Sequence, residues 1–175
     1  MKFSLIVSTI NRKEPLDIFL NSLFNQSYKN FEVIIIDQNK KGYLDNILEK
    51  WMSNLNIIHR NVPFKGLSKA RNYGVKISNY NILAFPDDDC FYETDTLKKV
   101  INHFNNKIDT EVLICQSKEY SRNIATDRVI SNKIKKVNSI LDLFTAKASS
   151  NQIFIKSNIL SRLEKKVFDP ILGVG

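Results

Sequence analysis

Three consecutive aspartates close the segment NILAFPDDDC, residues 81–90, and no other side chains in the sequence are so plainly arranged for chemistry. Adjacent carboxylates repel one another, and withdrawing them from water at the end of an apolar run adds to the penalty. A hard divalent cation, Mg²⁺ or Mn²⁺, removes it, because such ions take oxygen ligands and bind through one or two carboxylates plus substrate phosphates. In extended backbone Asp87 and Asp89 project to one side and Asp88 to the other. One carboxylate of an Asp-x-Asp pair can then hold metal while another serves the metal's shell or the hydroxyls of a sugar. The competing reading is a strand exit whose aspartates are hydrated or cap the following helix. An isolated aspartate run favours that second reading. A run that follows an apolar strand, on a rim shared with other ligand-capable residues, favours the metal.

Two other apolar runs end in the same way. FSLIVS (3–8) leads into Thr9, Ile10, Asn11 and Arg12, and FEVIIID (31–37) into Asp37, Gln38 and Asn39. The elements between them must bring these ends together. EPLDIFLNSLFNQ (14–26) places Leu16, Phe19, Leu20 and Leu23 on one helical face, and YLDNILEKWM (43–52) does the same with Leu44, Ile47, Leu48 and Trp51. LNIIHR (55–60) reads as a short strand, GLSKARNYGVKIS (66–78) as a helix, and YNILAF (80–85) as a strand. TDTLKKVINHF (94–104) is a helix with Thr94 as its expected N-cap, and EVLICQS (111–117) another strand. Strand and helix thus alternate over the first 117 residues, which predicts an α/β fold: a mostly parallel sheet with helices on both faces. The unbroken apolar run of 31–37 suits a sheet covered on both sides. Ligands of such sheets bind at the carboxyl ends of the strands, near a switch in strand order. Beyond residue 117 the pattern supports a helix near 137–145, a strand near 151–156 and a short helix near 157–163.

Composition narrows the function classes. The chain has 175 residues, 43% of them hydrophobic and 25% charged, with 5 Gly and 4 Pro, an ordinary globular balance. No apolar stretch reaches the ~20 residues of a membrane span. The first apolar run is shorter than the ~7–15 residues of a signal-peptide core, so a cytoplasmic address is the default. Cys90 and Cys115 lack metal-ligand spacing and are expected to be free thiols. His59 and His103 are expected to be structural, with no partner carboxylate, and Trp51 to be core. The net charge is +8, and 117–166 holds 11 Lys/Arg against 4 Asp/Glu. That field suits an anionic partner such as a diphosphate-bearing acceptor or an acidic lipid surface, and composition alone equally allows a solvated face with no partner. No helix-turn-helix or zinc pattern accompanies it, so nucleic acid is not expected. A nucleotidyltransferase would carry a glycine-rich loop after its first strand, and STINRKEP has no glycine.

Three blocks carry a resemblance: IVSTINRKEPLDIFLNSLFNQSYKNFEVIIID, GLSKARNYGVKISNYNILAFPDDDCFY and FDPILGVG. In that order they resemble the glycosyltransferase family 2 domain, of Rossmann-like GT-A fold, over nearly the whole chain. The resemblance implies a single domain over 1–175, with 1–117 binding a nucleotide-sugar donor and 118–175 forming an incomplete acceptor side. It implies nucleotide-sugar contacts from Thr9, Ile10, Asn11, Arg12, Asp37, Gln38, Arg71, Asp87 and Asp88, and metal binding by Asp87 and Asp89. Gln38 stands where the family has a second acidic residue, and its amide can still meet a base edge. The implied activity is metal-dependent, inverting, hexosyl-type transfer from a nucleotide diphosphate to a cell-surface glycan or lipid-linked acceptor, with Mg²⁺ or Mn²⁺. The enzyme is expected in the cytoplasm, with peripheral contact to the anionic inner face of the membrane.

The family's catalytic base follows the FD…LG.G block, whereas this sequence stops at FDPILGVG. The base is therefore expected beyond Gly175, and the chain alone is expected to bind nucleotide but transfer sugar poorly. The alternative is a truncated, catalytically inactive nucleotide-sugar-binding module.

Overall fold

The computed structural model describes residues 1–116, 149–163 and 167–169. Six strands alternate with four helices. They are β1 (Phe3–Thr9), α1 (Lys13–Phe24), β2 (Phe31–Asp37), α2 (Asp45–Met52), β3 (Ile57–Asn61), α3 (Leu67–Lys76), β4 (Ile82–Ala84), α4 (Thr96–Asn106), β5 (Val112–Ile114) and β6 (Ile153–Lys156). They form one sheet of order β3-β2-β1-β4-β6-β5. β1 is parallel to β2 and β4, and β2 to β3, whereas β6 runs antiparallel to both β4 and β5. The expected α/β architecture is present. β4 and β5 point the same way but do not touch, because a strand from much later in the chain lies between them.

All seven residues of β2 are buried, because side chains alternate between two covered faces. Leu5 and Val7 of β1 and Val33 and Ile35 of β2 meet one face. There they pack with Leu16, Phe19, Leu20 and Leu23 of α1, Leu48 and Trp51 of α2, and Leu97, Val100, Ile101 and Phe104 of α4. Ile6, Ile34 and Ile36 point the other way, under Ala70 and Val75 of α3. Ile159, Leu160, Val167 and Phe168 close the edge of this second layer. Trp51 is core as expected, and its indole N–H donates to Asp17 Oδ1 at 2.6 Å. α3 sits so close to β1 that a Cβ built at Gly74 would run into Cγ2 of Ile6.

Several local expectations are corrected. Thr94 is not the N-cap of α4, which begins at Thr96. The side chain that satisfies its first turn belongs to Gln26: the Leu97 N–H donates to Gln26 Oε1 at 3.1 Å, and Gln26 Nε2 donates to the carbonyls of Tyr92 and Glu93. The short helix near 157–163 is a 3-10 segment, Ser157–Leu163. The helix expected near 137–145 lies outside the described residues. No helix among the described residues is long and apolar enough to cross a membrane.

Candidate functional site

The chain leaves β1 for β2 and β3 on one side and returns to pair β4 on the other, so the strand order switches between β1 and β4. That is where the aspartates emerge. β4 ends at Ala84, and after Phe85 and Pro86 the backbone turns, with the Cys90 N–H donating to the Asp87 carbonyl at 3.1 Å. The run is therefore a turn rather than the extended segment expected, yet the side chains still part company. Asp88 folds back under the rim, accepting from Thr9 Oγ1 at 2.7 Å and from Arg12 at 3.2 Å. Asp89 points outward and takes a 2.6 Å bond from the same guanidinium. Asp87 pairs with Arg71 of α3 at 2.7 Å.

Two guanidinium groups from different elements thus offset most of the repulsion among three carboxylates. Burial pushes the Asp87 and Asp88 carboxyls up; Arg71 opposes this at Asp87, as do Thr9 and Arg12 at Asp88. Arg71 is only 4% exposed, and burial lowers its own pKa against the pull of Asp87. Its other amino group donates to Ser150 Oγ at 2.8 Å, while its buried Nε has no partner among the described residues. The neighbouring Asn72 donates to the Phe168 carbonyl at 2.6 Å and accepts from the Phe168 N–H at 3.1 Å. Two successive α3 side chains therefore fasten the segments around Ser150 and Phe168 to this rim.

Carboxylate oxygens of Asp87 and Asp89 and the thiol of Cys90 lie within 4.8 Å of one another. The two oxygens suit Mg²⁺ or Mn²⁺; the thiol does not, being soft and pushed upward by burial into its protonated form. This donor set fits a hard divalent cation held by two carboxylates.

The second part of the rim lies at the end of β2. Asp37 Oδ1 accepts from the Asn39 backbone and side-chain amides at 2.9 and 2.6 Å, and Oδ2 lies 3.0 Å from His59 Nε2. The expectation that His59 lacks a partner carboxylate is thus corrected. Register explains the meeting: His59 lies opposite Ile35, and Asp37, two residues on, shares the same face. The Gln38 amide is tied at both ends, donating to Ser8 Oγ at 2.7 Å and accepting from the Gly66 N–H at 2.7 Å. Gly66 has φ 123, a conformation that favours glycine, and it starts α3. Asn11 sits in the left-handed region at φ 57, its N–H donating to Asn39 Oδ1 at 2.6 Å. Ile10 is half-buried beside it.

The structure therefore gathers Thr9, Arg12, Asp88 and Asp89 into one bonded cluster, with the Asp87–Arg71 pair beside it. Asp37 and Asn11 meet at Asn39, and Gln38 is held next to them between Ser8 and Gly66. Sequence reading missed the Arg71–Ser150 bond, Asn72 as a clamp and His59. Asn72 stood inside the GLSKARN block and Ser150 inside ASSNQIFIKS (148–157), a segment the sequence assigns to the acceptor side, while His59 carried no local signal.

A mostly parallel sheet with ligand-capable side chains at its switch point is the arrangement at which α/β domains bind their ligands. Solved structures specify it further. Staphylococcus aureus TarS 1–349 matches with TM-score 0.75 at 24% identity, over 94% of this chain and 49% of that one. The mannosyltransferase PcManGT from Pyrobaculum calidifontis, solved with GDP-Man and Mn²⁺, matches with TM-score 0.67 at 15% identity, over 93% and 46%. The fold is GT-A. In sequence, the poly(ribitol-phosphate) β-N-acetylglucosaminyltransferase TarS of S. aureus is 30% identical over 122 residues, 67% of this chain and 21% of TarS. The Escherichia coli β-1,3-glucosyltransferase WfaP is 32% identical over 101 residues, 58% of this chain and 40% of WfaP. The matches thus span less than half the length of these relatives. The profile of Glycosyl transferase family 2 matches residues 4–167, and the chain belongs to that family.

Proposed function

We propose that the chain carries the donor-binding part of an inverting glycosyltransferase that moves a sugar from a nucleotide diphosphate to a glycan or lipid-linked acceptor. The observation that carries this reading is the meeting of Thr9, Arg12 and the 87–89 carboxylates across the β1/β4 switch, with Arg71 behind them. The rim at Thr9–Arg12 and Asp37–Gln38 takes the nucleoside. Asp87 and Asp89 hold the divalent cation, which when bound supplies Lewis-acid stabilisation of the leaving diphosphate. Asp88 braces the turn against β1 and orients Arg12, whose second face is free to meet a phosphate. Arg71 opposes the upward push of burial on the Asp87 carboxyl and aims it. Residues up to 117 serve the donor, and those around Ser150 and Phe168 adjoin the acceptor. TarS has been crystallised with UDP-GlcNAc, a donor of the class proposed.

The test is thermal unfolding with UDP, TDP and GDP, each with and without Mn²⁺. One nucleotide is expected to stabilise the chain in a metal-dependent way, by about 2.7 kcal/mol at roughly 100 times its dissociation constant. Asp89→Asn should abolish the metal-dependent part; because its side chain is 54% exposed, the variant should fold. Indifference of the wild type to all three nucleotides would overturn the reading.

A further inference from the structure

The Asp37 carboxylate is 2% exposed, and its acceptor capacity can be counted. An ionised carboxylate offers about four lone-pair positions, two on each oxygen. Oδ1 is filled by the two Asn39 bonds, at 2.9 and 2.6 Å. Oδ2 takes one, from His59 at 3.0 Å. A carboxylate can only accept, so Nε2 of His59 must carry the proton. One acceptor position remains, on the oxygen that His59 holds. The histidine side chain is 23% exposed, against 2% for the carboxylate it holds.

We propose that His59 is a positioning residue of the donor site: by occupying one lone pair of Asp37 Oδ2 it aims the other at the nucleoside. This deepens the function proposed above and rests on it. The remaining position accepts one N–H or O–H. That matches the single ring N–H of a uracil, thymine or guanine edge, or one ribose hydroxyl. Adenine and cytosine, whose ring edges carry no N–H, lack the ring donor. The neighbouring amide of Gln38 is held on both sides, donating to Ser8 and accepting from Gly66, so it stays in place beside the carboxylate rather than swinging round to replace it. The backbone beneath is held independently, because Asn61 Nδ2 donates to the carbonyls of Asp37 and Asn39 at 3.3 and 3.0 Å. Loss of the imidazole therefore leaves the carboxylate held through Oδ1 alone, so that Oδ2 loses its aim without release of the strand end.

The experiment compares wild type, His59→Gln and His59→Phe in calorimetric titrations with UDP, TDP, GDP and, as a probe lacking a nucleoside, pyrophosphate, all with Mn²⁺. His59→Phe should bind the preferred nucleoside diphosphate roughly tenfold more weakly, the scale of one hydrogen bond to a charged group, with pyrophosphate binding unchanged. His59→Gln, which keeps an N–H donor, should recover most of the loss. Equal weakening of nucleotide and pyrophosphate would assign His59 a purely structural role and overturn the inference. So would unchanged nucleotide affinity in His59→Phe, or failure of the glutamine to restore it. Absence of nucleotide binding by the wild type would instead remove the donor-site reading, and this inference with it.

Discussion

Arg12 and Arg71 face the same aspartates, yet burial makes their contributions differ. Arg12 is 51% exposed, and an ion pair in that setting contributes at most about 1 kcal/mol. Arg71 is almost fully buried, and truncating it strands Asp87 and unties Ser150. Breaking a buried pair costs about 3–5 kcal/mol, and the low end applies because Asp87 is 34% exposed. Urea unfolding should therefore separate the two: Arg12→Ala within about 1 kcal/mol of wild type, Arg71→Ala destabilised by roughly 3 kcal/mol. Arg71→Lys should recover little, since a point charge cannot reach both Asp87 and Ser150 as the planar fork does.

Between helix and sheet the governing quantity is distance. Alanine in place of a helical glycine ordinarily stabilises by about 1 kcal/mol. At Gly74 the added methyl would overlap Ile6, which is fully buried and cannot move aside. Overpacking costs about 1–3 kcal/mol, so Gly74→Ala is expected to be net destabilising, read as a lowered Tm. The strands and helices here were legible because their patterns are local: unbroken apolar runs in β1 and β2, and three- and four-residue spacing in α1. What escaped was non-local. Gln26 caps a helix about seventy residues away, so Thr94 was the nearest candidate and the wrong one. His59 meets Asp37 only once the register of β3 on β2 is known. The aspartate run was conspicuous from composition alone, but its turn and its two arginine partners depend on the tertiary fold.

Charge is a property of the whole molecule. The surplus of 7 positive charges in 117–166, within a total of +8, motivates a test for contact with an acidic surface. Sedimentation with vesicles containing about 30% anionic lipid should capture the chain at low salt. Raising ionic strength toward 1 M, where the Debye length falls to about 3 Å, should release it. Binding indifferent to lipid charge and salt would contradict an electrostatic contact. The order of assembly follows from β6 lying between β4 and β5. During synthesis β5 leaves the ribosome about forty residues before the strand it must pair with, and until then the flank of β4 stays open. The sheet is therefore completed beside its β5 edge, with β6, the latest strand among the described residues, as its keystone. A chain interrupted before residue 153 would present two bare β edges, a template for association with other chains.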